Sequence, residues 1–455
     1  MGVISRFFSA RALSGAAAWT LSLAAAVGVA LALCGASGAL AFMRTRPAVA
    51  FVAIAAAASF AAAARSWRNR PALLMHLGFA LALGGWAFNA AFGPEEGYVR
   101  LRAGQYGGIG HSGVQHDLPQ FVMRLEEFKI DRWPDTGTVR QYTSRVMAGP
   151  YAEQDEHLEP RTISVNHPLV MGGWWIYQSS YEELKNPHTG EPLYFTILQC
   201  VCDIGLPFAF AGGILLLLGS LLYAVKSCRR AAVERSGEAA HDGCRPYPRF
   251  LSILYGVSFA GACAMLVHRG MSTGHAPMQN MYEFLICMAA FIPVLTWLSA
   301  RKGERTLLQD AFLQALVLVP VAFFMDGRVK RLMPALQSPF FVPHVGAYVL
   351  GYVLLVRAAL GAGRRLVGVG FFLLTLGLVL GAAWGKVCWG HWWQFDPKEM
   401  WSLATWLLYA AYFHLRARLS PRADRAFLVA GAVMVVLTLT WINLSRIFTG
   451  MHSYA

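Results

Sequence analysis

The chain has 455 residues, of which 56% are hydrophobic and only 14% charged, with a formal net charge of +14 and a positive mean hydropathy. A soluble protein of this length would divide into two or three domains, but apolar runs of about 18 residues or more recur along the sequence, each able to cross a bilayer core of about 30 Å. That excludes a soluble globular class. The fold class expected is an all-α polytopic membrane protein of about eleven transmembrane helices with an inserted extracytoplasmic β-rich domain.

In chain order, the first apolar run, about Ala10 to Phe42, is too long for a cleavable signal peptide and reads as a retained helix. The first three spans fall near 13–42, 48–64 and 72–92. From Gly93 to Gln199 the chain turns polar, and stretches such as "FVMRLEEFKI", "RTISVNHPLV" and "WWIYQSSYEEL" alternate with period two between Gly, Pro and Asn. Alternation of that kind reads as strands. A fourth span near 205–225 leads into the charged linker "KSCRRAAVERSGEAAHDGCRPYPR" at 226–249. Seven further spans lie near 250–268, 281–299, 307–325, 344–361, 366–385, 402–415 and 426–446. The expected divisions are three helices in 1–92, the β-rich domain in 93–204, a fourth helix in 205–225, a cytoplasmic linker in 226–249 and a seven-helix bundle in 250–455. The join has the look of two proteins fused.

Lys and Arg set the orientation. With a cytoplasmic N-terminus, the inside segments hold about 20 of them against about 9 in the short outside segments. The basic surplus thus encodes topology, and no nucleic-acid partner is needed to explain it. Two clusters run against the rule: Arg44 with Arg46, and Arg328 with Lys330 and Arg331. The eight cysteines form no CxxC pair and no CxxCH motif. Cys200 and Cys202, one residue apart in "QCVCD", are poorly placed for a disulfide, and most of the rest read as small buried thiols in or beside apolar helices.

The histidines carry more information. His344, in "FFVPHVGAYVLGY", and His452, in "FTGMHSYA", are expected at the outer ends of their spans, on the face where "WGHWWQFDPKEMW" (389–401) emerges. Two imidazoles beside an aromatic platform suit an axially ligated porphyrin, with Arg328, Lys330 and Arg331 suited to its propionates. His76, in "PALLMHLGFALALGG", and His414, in "YAAYFHLRARL", are expected near the inner ends of theirs. Ionisable groups inside spans are functional hypotheses by default. At 1.5 Å per residue the two pairs stand some 20 Å apart, so one porphyrin cannot use all four. The structural readings are also open: a single interfacial histidine commonly snorkels, and tryptophans near a bilayer commonly form an aromatic belt. Asp396-Pro397, with Glu399 three residues on, reads as a capping box at a helix start, which explains the charges but leaves the aromatic surface without a purpose. His268, His275 and His391 are reserve ligands.

These residues resemble a known family. "WGHWWQFDPKEMWSL" looks like the WWD signature of haem-handling membrane proteins, "RLMPALQSPFFVPHVGAYVLGY" and "PMQNMYEFL" resemble segments of the CcsA (ResC) part of system II cytochrome c synthases, and "GMHSYA" resembles their terminal histidine segment. In the front block, "HLGFALALGG" and "SVNHPLVMGGWWIYQSSYEE" resemble the CcsB (ResB) partner. The whole chain is similar to a fused CcsB/CcsA protein. Phe395 departs from the tryptophan usual there and removes an indole donor; His391 inside the signature is also unusual.

The resemblance implies a holocytochrome c synthase that carries haem b across the bacterial cytoplasmic (inner) membrane and attaches it to the CxxCH motif of apocytochrome c on the periplasmic side. It implies His76 and His414 as a transmembrane haem pair, with His344 and His452 as the external axial pair. Trp389, Gly390, Trp392, Trp393, Phe395, Asp396 and Trp401 would form the haem platform, Arg331 would contact the haem, and Asp396 would join His344 and His452 as catalytic residues. Implied partners are haem, apocytochrome c, thiol-reducing thioredoxin-like proteins and membrane lipid. Two other readings share the paired histidines: a bis-histidine cytochrome b in quinol-linked electron transfer, and a haem exporter without ligase activity.

Overall fold

The computed structural model describes residues 43, 45–94, 96–110, 119–150, 158–185, 190–237, 249–300 and 306–444. The span expected at 13–42 and His452, expected as an axial ligand, lie outside the described residues. Two helices come first: α1 (Arg46–Arg65) and α2 (Arg70–Phe92), each with proline in its first turn, where its missing N–H costs nothing. Eight strands follow, and then α3 (Leu206–Gly237), α4 (Arg249–Thr273), α5 (Met281–Ala300), α6 (Leu307–Phe323), α7 (Phe341–Ala359), α8 (Arg365–Trp389), α9 (Pro397–Leu415) and α10 (Pro421–Leu444). Among the described residues, eight helices are long and apolar enough to cross a membrane. The chain is therefore a multi-pass membrane protein. Helix α6, expected as a full span, has only 17 residues.

The insert is a β-rich domain of two four-stranded antiparallel sheets, with strand orders β1-β8-β7-β6 and β2-β3-β4-β5. The strands are β1 (Gly97–Leu101), β2 (Tyr106–Gly110), β3 (Pro119–Arg132), β4 (Val139–Pro150), β5 (Glu159–Ser164), β6 (Leu169–Met171), β7 (Trp174–Lys185) and β8 (Pro192–Val201). Alternate residues of the two sheets meet in a core that includes Val99, Leu101, Phe121, Met123, Leu125, Val146, Ile163, Trp174, Ile176 and Leu198. The stretch "RTISVNHPLV" is two strands rather than one. Asn166 takes φ +67° between them, a left-handed position that asparagine tolerates better than most residues.

Helix contacts differ in kind across the molecule. Helices α2 and α3 touch backbone to backbone: a Cβ on Gly78 would lie 2.7 Å from the Gly212 carbonyl oxygen, and one on Gly212 would lie 2.6 Å from that of Gly78. Small residues allow this approach without a hydrophobic driving force between helices in lipid. The bundle formed mainly by α5, α7, α8 and α9 instead packs large side chains, including Ile286, Tyr352, Phe371, Trp406 and Tyr412. Inside it Arg357 donates to both oxygens of Asp310, at 2.7 and 2.8 Å, and also to Ser299 and Thr306. A buried charge pair that is fully hydrogen-bonded in this way is tolerable within an apolar bundle.

Candidate haem-handling site

The first pair of imidazoles comes together across the join between the two blocks. His76 on α2 and His414 near the end of α9 face each other with ring centroids 5.5 Å apart and planes at 41°. Both are half-buried. Two imidazoles on opposite faces of one iron would place their centroids about 6 Å apart, since each metal–nitrogen bond is about 2 Å. The observed gap is close to that spacing, the separation that an iron bringing its own equatorial ligands would ask of two imidazoles. Among the described residues, no three or more His, Cys, Asp or Glu side chains gather to hold a bare metal ion. A porphyrin iron asks the protein for only one or two ligands.

His344 lies in the first turn of α7. Its Nδ1–H donates to the Gly377 carbonyl on α8 at 2.8 Å. A carbonyl only accepts, so the bond fixes the tautomer whose lone pair is on Nε2, the usual way a protein orients an imidazole for iron. Tyr348 and Trp384 meet the ring edge-on at centroid distances of 5.1 and 5.7 Å. The seat depends on two glycines a turn apart on α8. A Cβ on Gly381 would come within 2.6 Å of His344 Cε1, and one on Gly377 within 2.7 Å of the Tyr348 ring. Neither glycine was singled out by the sequence reading.

The tryptophan segment is a tight connection between α8 and α9. Gly390 caps α8 at φ +87° and Phe395 stands at φ +58°, a conformation rare for a bulky residue. Asp396 caps α9: its side chain accepts from the Lys398 N–H at 2.9 Å, while Glu399 reaches back to the N–H groups of Gln394 and Asp396. The capping box read from the sequence is present. The aromatic residues divide between two neighbourhoods. Trp389 packs beside Trp384, at 5.8 Å, on the His344 side. Trp393, Phe395 and Trp401 cluster with Trp86 of α2, and Trp392 approaches Phe210 of α3. The indole N–H groups of Trp392 and Trp393 are buried with no acceptor in reach among the described residues. A donor left so costs about 1–3 kcal/mol, and the carboxylate-bearing edge of a haem is the kind of group that would relieve it.

The β domain builds much of this face, through pairings that no local signal in the sequence foretells. His391 Nε2 lies 2.9 Å from Glu96 Oε2, and Gln199 of β8 donates to the same oxygen at 2.7 Å. Lys386 reaches Asp203 at 3.4 Å and the Gly390 carbonyl at 3.0 Å, over the face of Trp175. Arg331 pairs with Asp135 of the β domain at 2.7 Å, and that hydrogen bond holds the Asp135 carboxyl below the usual carboxylate range. Asn166 donates to the carbonyls of Pro334, Ala335 and Gln337, pinning the segment that leads to His344. Arg269 pairs with buried Glu283 and donates to the Gly327 and Arg328 carbonyls. His275 bonds through Nδ1 to the Ala276 carbonyl, and His268 is exposed. The six described cysteines are free, and burial pushes the Cys200 thiol up to about 12, leaving it an inert core residue.

Among the described residues the membrane bundle thus presents one imidazole pair and a third oriented imidazole beside tryptophans, a donor set that a planar, iron-bearing ligand would require. Comparison with known proteins agrees. Residues 20–193 match the ResB-like family, and residues 362–452 match the Cytochrome C assembly protein family. Among similar curated proteins, the cytochrome c biogenesis protein CcsA of Prochlorococcus marinus (strain MIT 9303) is 29% identical over 253 residues, covering 42% of this chain and 79% of its own length. The CcsA of Chlamydomonas reinhardtii is 28% identical over 240 residues, 44% of this chain and 67% of its own. That of Synechococcus sp. (strain CC9605) is 28% identical over 319 residues, 57% and 98%. The chain thus carries both parts of a fused ResB/CcsA-type cytochrome c biogenesis protein.

Proposed function

We propose that this chain acts in system II cytochrome c biogenesis as a haem-lyase-type enzyme, moving haem b across the cytoplasmic membrane and joining it to the CxxCH motif of apocytochrome c on the periplasmic side. The observation that carries this reading is the His76–His414 pair, in which each family-matched region supplies one imidazole and the two stand at nearly the spacing of axial ligands. His76 and His414 take up reduced haem on the inner side. His344, held in its tautomer by the Gly377 carbonyl, binds the iron on the outer side together with His452. Ligation on both faces leaves no open site for oxygen. The Trp392 and Trp393 N–H groups are available to haem carboxylates, and Trp389, Gly390, Phe395, Asp396 and Trp401 shape the platform. Arg331 serves chiefly to dock the β domain through Asp135 and contacts a propionate from that position.

Attachment needs no side-chain nucleophile. Each thiol of the incoming CxxCH adds across a haem vinyl group, sulfur to one carbon and hydrogen to the other, so no oxidant is consumed. The substrate histidine replaces one axial imidazole. The enzyme contributes orientation and redox protection, while a thioredoxin-like protein keeps the substrate thiols reduced. Co-expression with a CxxCH reporter, in cells lacking another synthase, tests the reading. Covalent haem on the reporter that resists acid acetone is the expected result. Free haem outside with an apo reporter would support an exporter, and a reduced-haem spectrum linked to quinol oxidation would support an electron carrier.

A further inference from the structure

Three ring pairs succeed one another along the seam between α2 and α9. His76 faces His414 at 5.5 Å, Phe79 stacks on Trp406 at 5.6 Å with planes at 25°, and Trp86 meets Phe395 edge-on at 5.9 Å. On α2 these residues sit three and seven positions apart, on one side of the helix, and span about 15 Å of its length. The series therefore runs from the inner imidazole pair to the tryptophan connection. Trp406 also stacks on Phe371 of α8, at 5.2 Å and 27°. Phe79, Trp406 and Phe371 make a three-ring stack.

This seam differs from the α2–α3 contact in what would have to break for it to open. The α2–α3 contact is backbone against backbone, and no planar ligand could enter it without separating the helices wholly. Between α2 and α9 at the level of Phe79, the contact is ring on ring. The Trp406 N–H donates sideways to Thr375 on α8, at 2.9 Å, and not across the seam. Parting Phe79 from Trp406 strands no polar group, and the offset stack they lose is one that either face of a flat macrocycle replaces in kind.

We propose that Phe79 and Trp406 form a removable plug between the two haem stations. Closed, the pair holds haem at His76 and His414. Parted, it admits the macrocycle edge-on, with Trp406 as the face it slides over, toward Trp86 and Phe395. The inference rests on the haem reading above and deepens it, assigning to two uncharged residues the control of passage.

A reversible bridge across the seam tests it. Phe79→Cys and Trp406→Cys, introduced together, are joined by a bifunctional thiol reagent carrying an internal disulfide and long enough to span roughly 10 Å between helices; the parent chain treated alike is the control. Haem at each station is read from the visible spectrum as the fraction lost in a His76→Ala or a His344→Ala background. The bridged protein should keep its His76-dependent haem and gain no His344-dependent haem until the bridge is reduced. Outer loading at the control rate while bridged would overturn the proposal. A parent chain with no His76-dependent haem would instead defeat the underlying haem reading. Independently, Phe79→Ala should raise the ratio of outer to inner haem by roughly twofold to tenfold, the range one lost stacked pair supports. A merely structural role would lower the unfolding midpoint and leave that ratio unchanged, which also overturns the plug.

Discussion

Gly381→Ala isolates the geometry of the outer imidazole from its chemistry. The added methyl would stand 2.6 Å from His344 Cε1, whereas ordinary contact begins at 3.4 Å, so the ring must retreat by 3.4 − 2.6 = 0.8 Å. A shift of that size disturbs the 2.8 Å bond from Nδ1 to the Gly377 carbonyl, which holds the ring in its tautomer. Helix propensity runs the other way: alanine is better than glycine by about 1 kcal/mol in a helix interior. The fold therefore survives while the His344 ring is displaced. Overpacking of this kind costs about 1–3 kcal/mol, which corresponds to about a 5- to 150-fold loss of outer-site haem affinity. The assay is a haem titration in a His76→Ala background, followed by yield of covalent haem on a CxxCH reporter. Outer haem bound with the parent affinity, at parent yield, would refute the argument that this glycine seats His344.

Other outcomes follow from the same geometry. His452→Ala should abolish reporter haem attachment and be partly rescued by added imidazole; undiminished attachment removes it from the ligand set. Asp396→Ala should cost about 0.5–2 kcal/mol of stability through the lost α9 cap, whereas Asp396→Asn should retain most of it. If Asn instead abolishes attachment with stability kept, the carboxylate acts beyond capping. His391→Ala should leave both haem spectra intact but increase proteolytic access to the 389–396 connection, because its partner is Glu96; a changed spectrum would make it a ligand. Docking of the β domain through Arg331 should also depend on pH. The Asp135 carboxyl is held below its ordinary value, so its contribution is full above about pH 4 and disappears as the pH falls through the lowered value. Asp135→Asn should flatten that acid limb in a protease-protection profile.

Much of the architecture is legible in the sequence because lipid and pleat impose strong patterns. Apolar runs located the described helices, and period-two alternation located the β insert. His76 and His414 stand out in the sequence because an imidazole inside a span is rare and costly, and the structure adds that their rings are neighbours. What remained hidden depends on pairings distant in sequence. Gly377 and Gly381 look like ordinary small residues of an apolar helix until α7 is seen to seat His344 against them. Glu96 and His391 lie 295 positions apart, and no local signal joins them. Arg331 was read as a propionate contact from charge and topology alone, a reading that cannot foresee the competing carboxylate of Asp135. The break at Asn166 was within reach, since Asn between two alternating runs is a turn signal.

The haem reading requires one iron between an imidazole from each half of the chain. Its most direct measurement is the visible spectrum and haem content of the detergent-purified protein beside its His76→Ala and His414→Ala variants, each in a His344→Ala background that silences the outer site. The expected result is a low-spin, bis-imidazole spectrum in the background protein that either substitution removes and added imidazole restores. Equal haem content and an unchanged spectrum in all three proteins would contradict it.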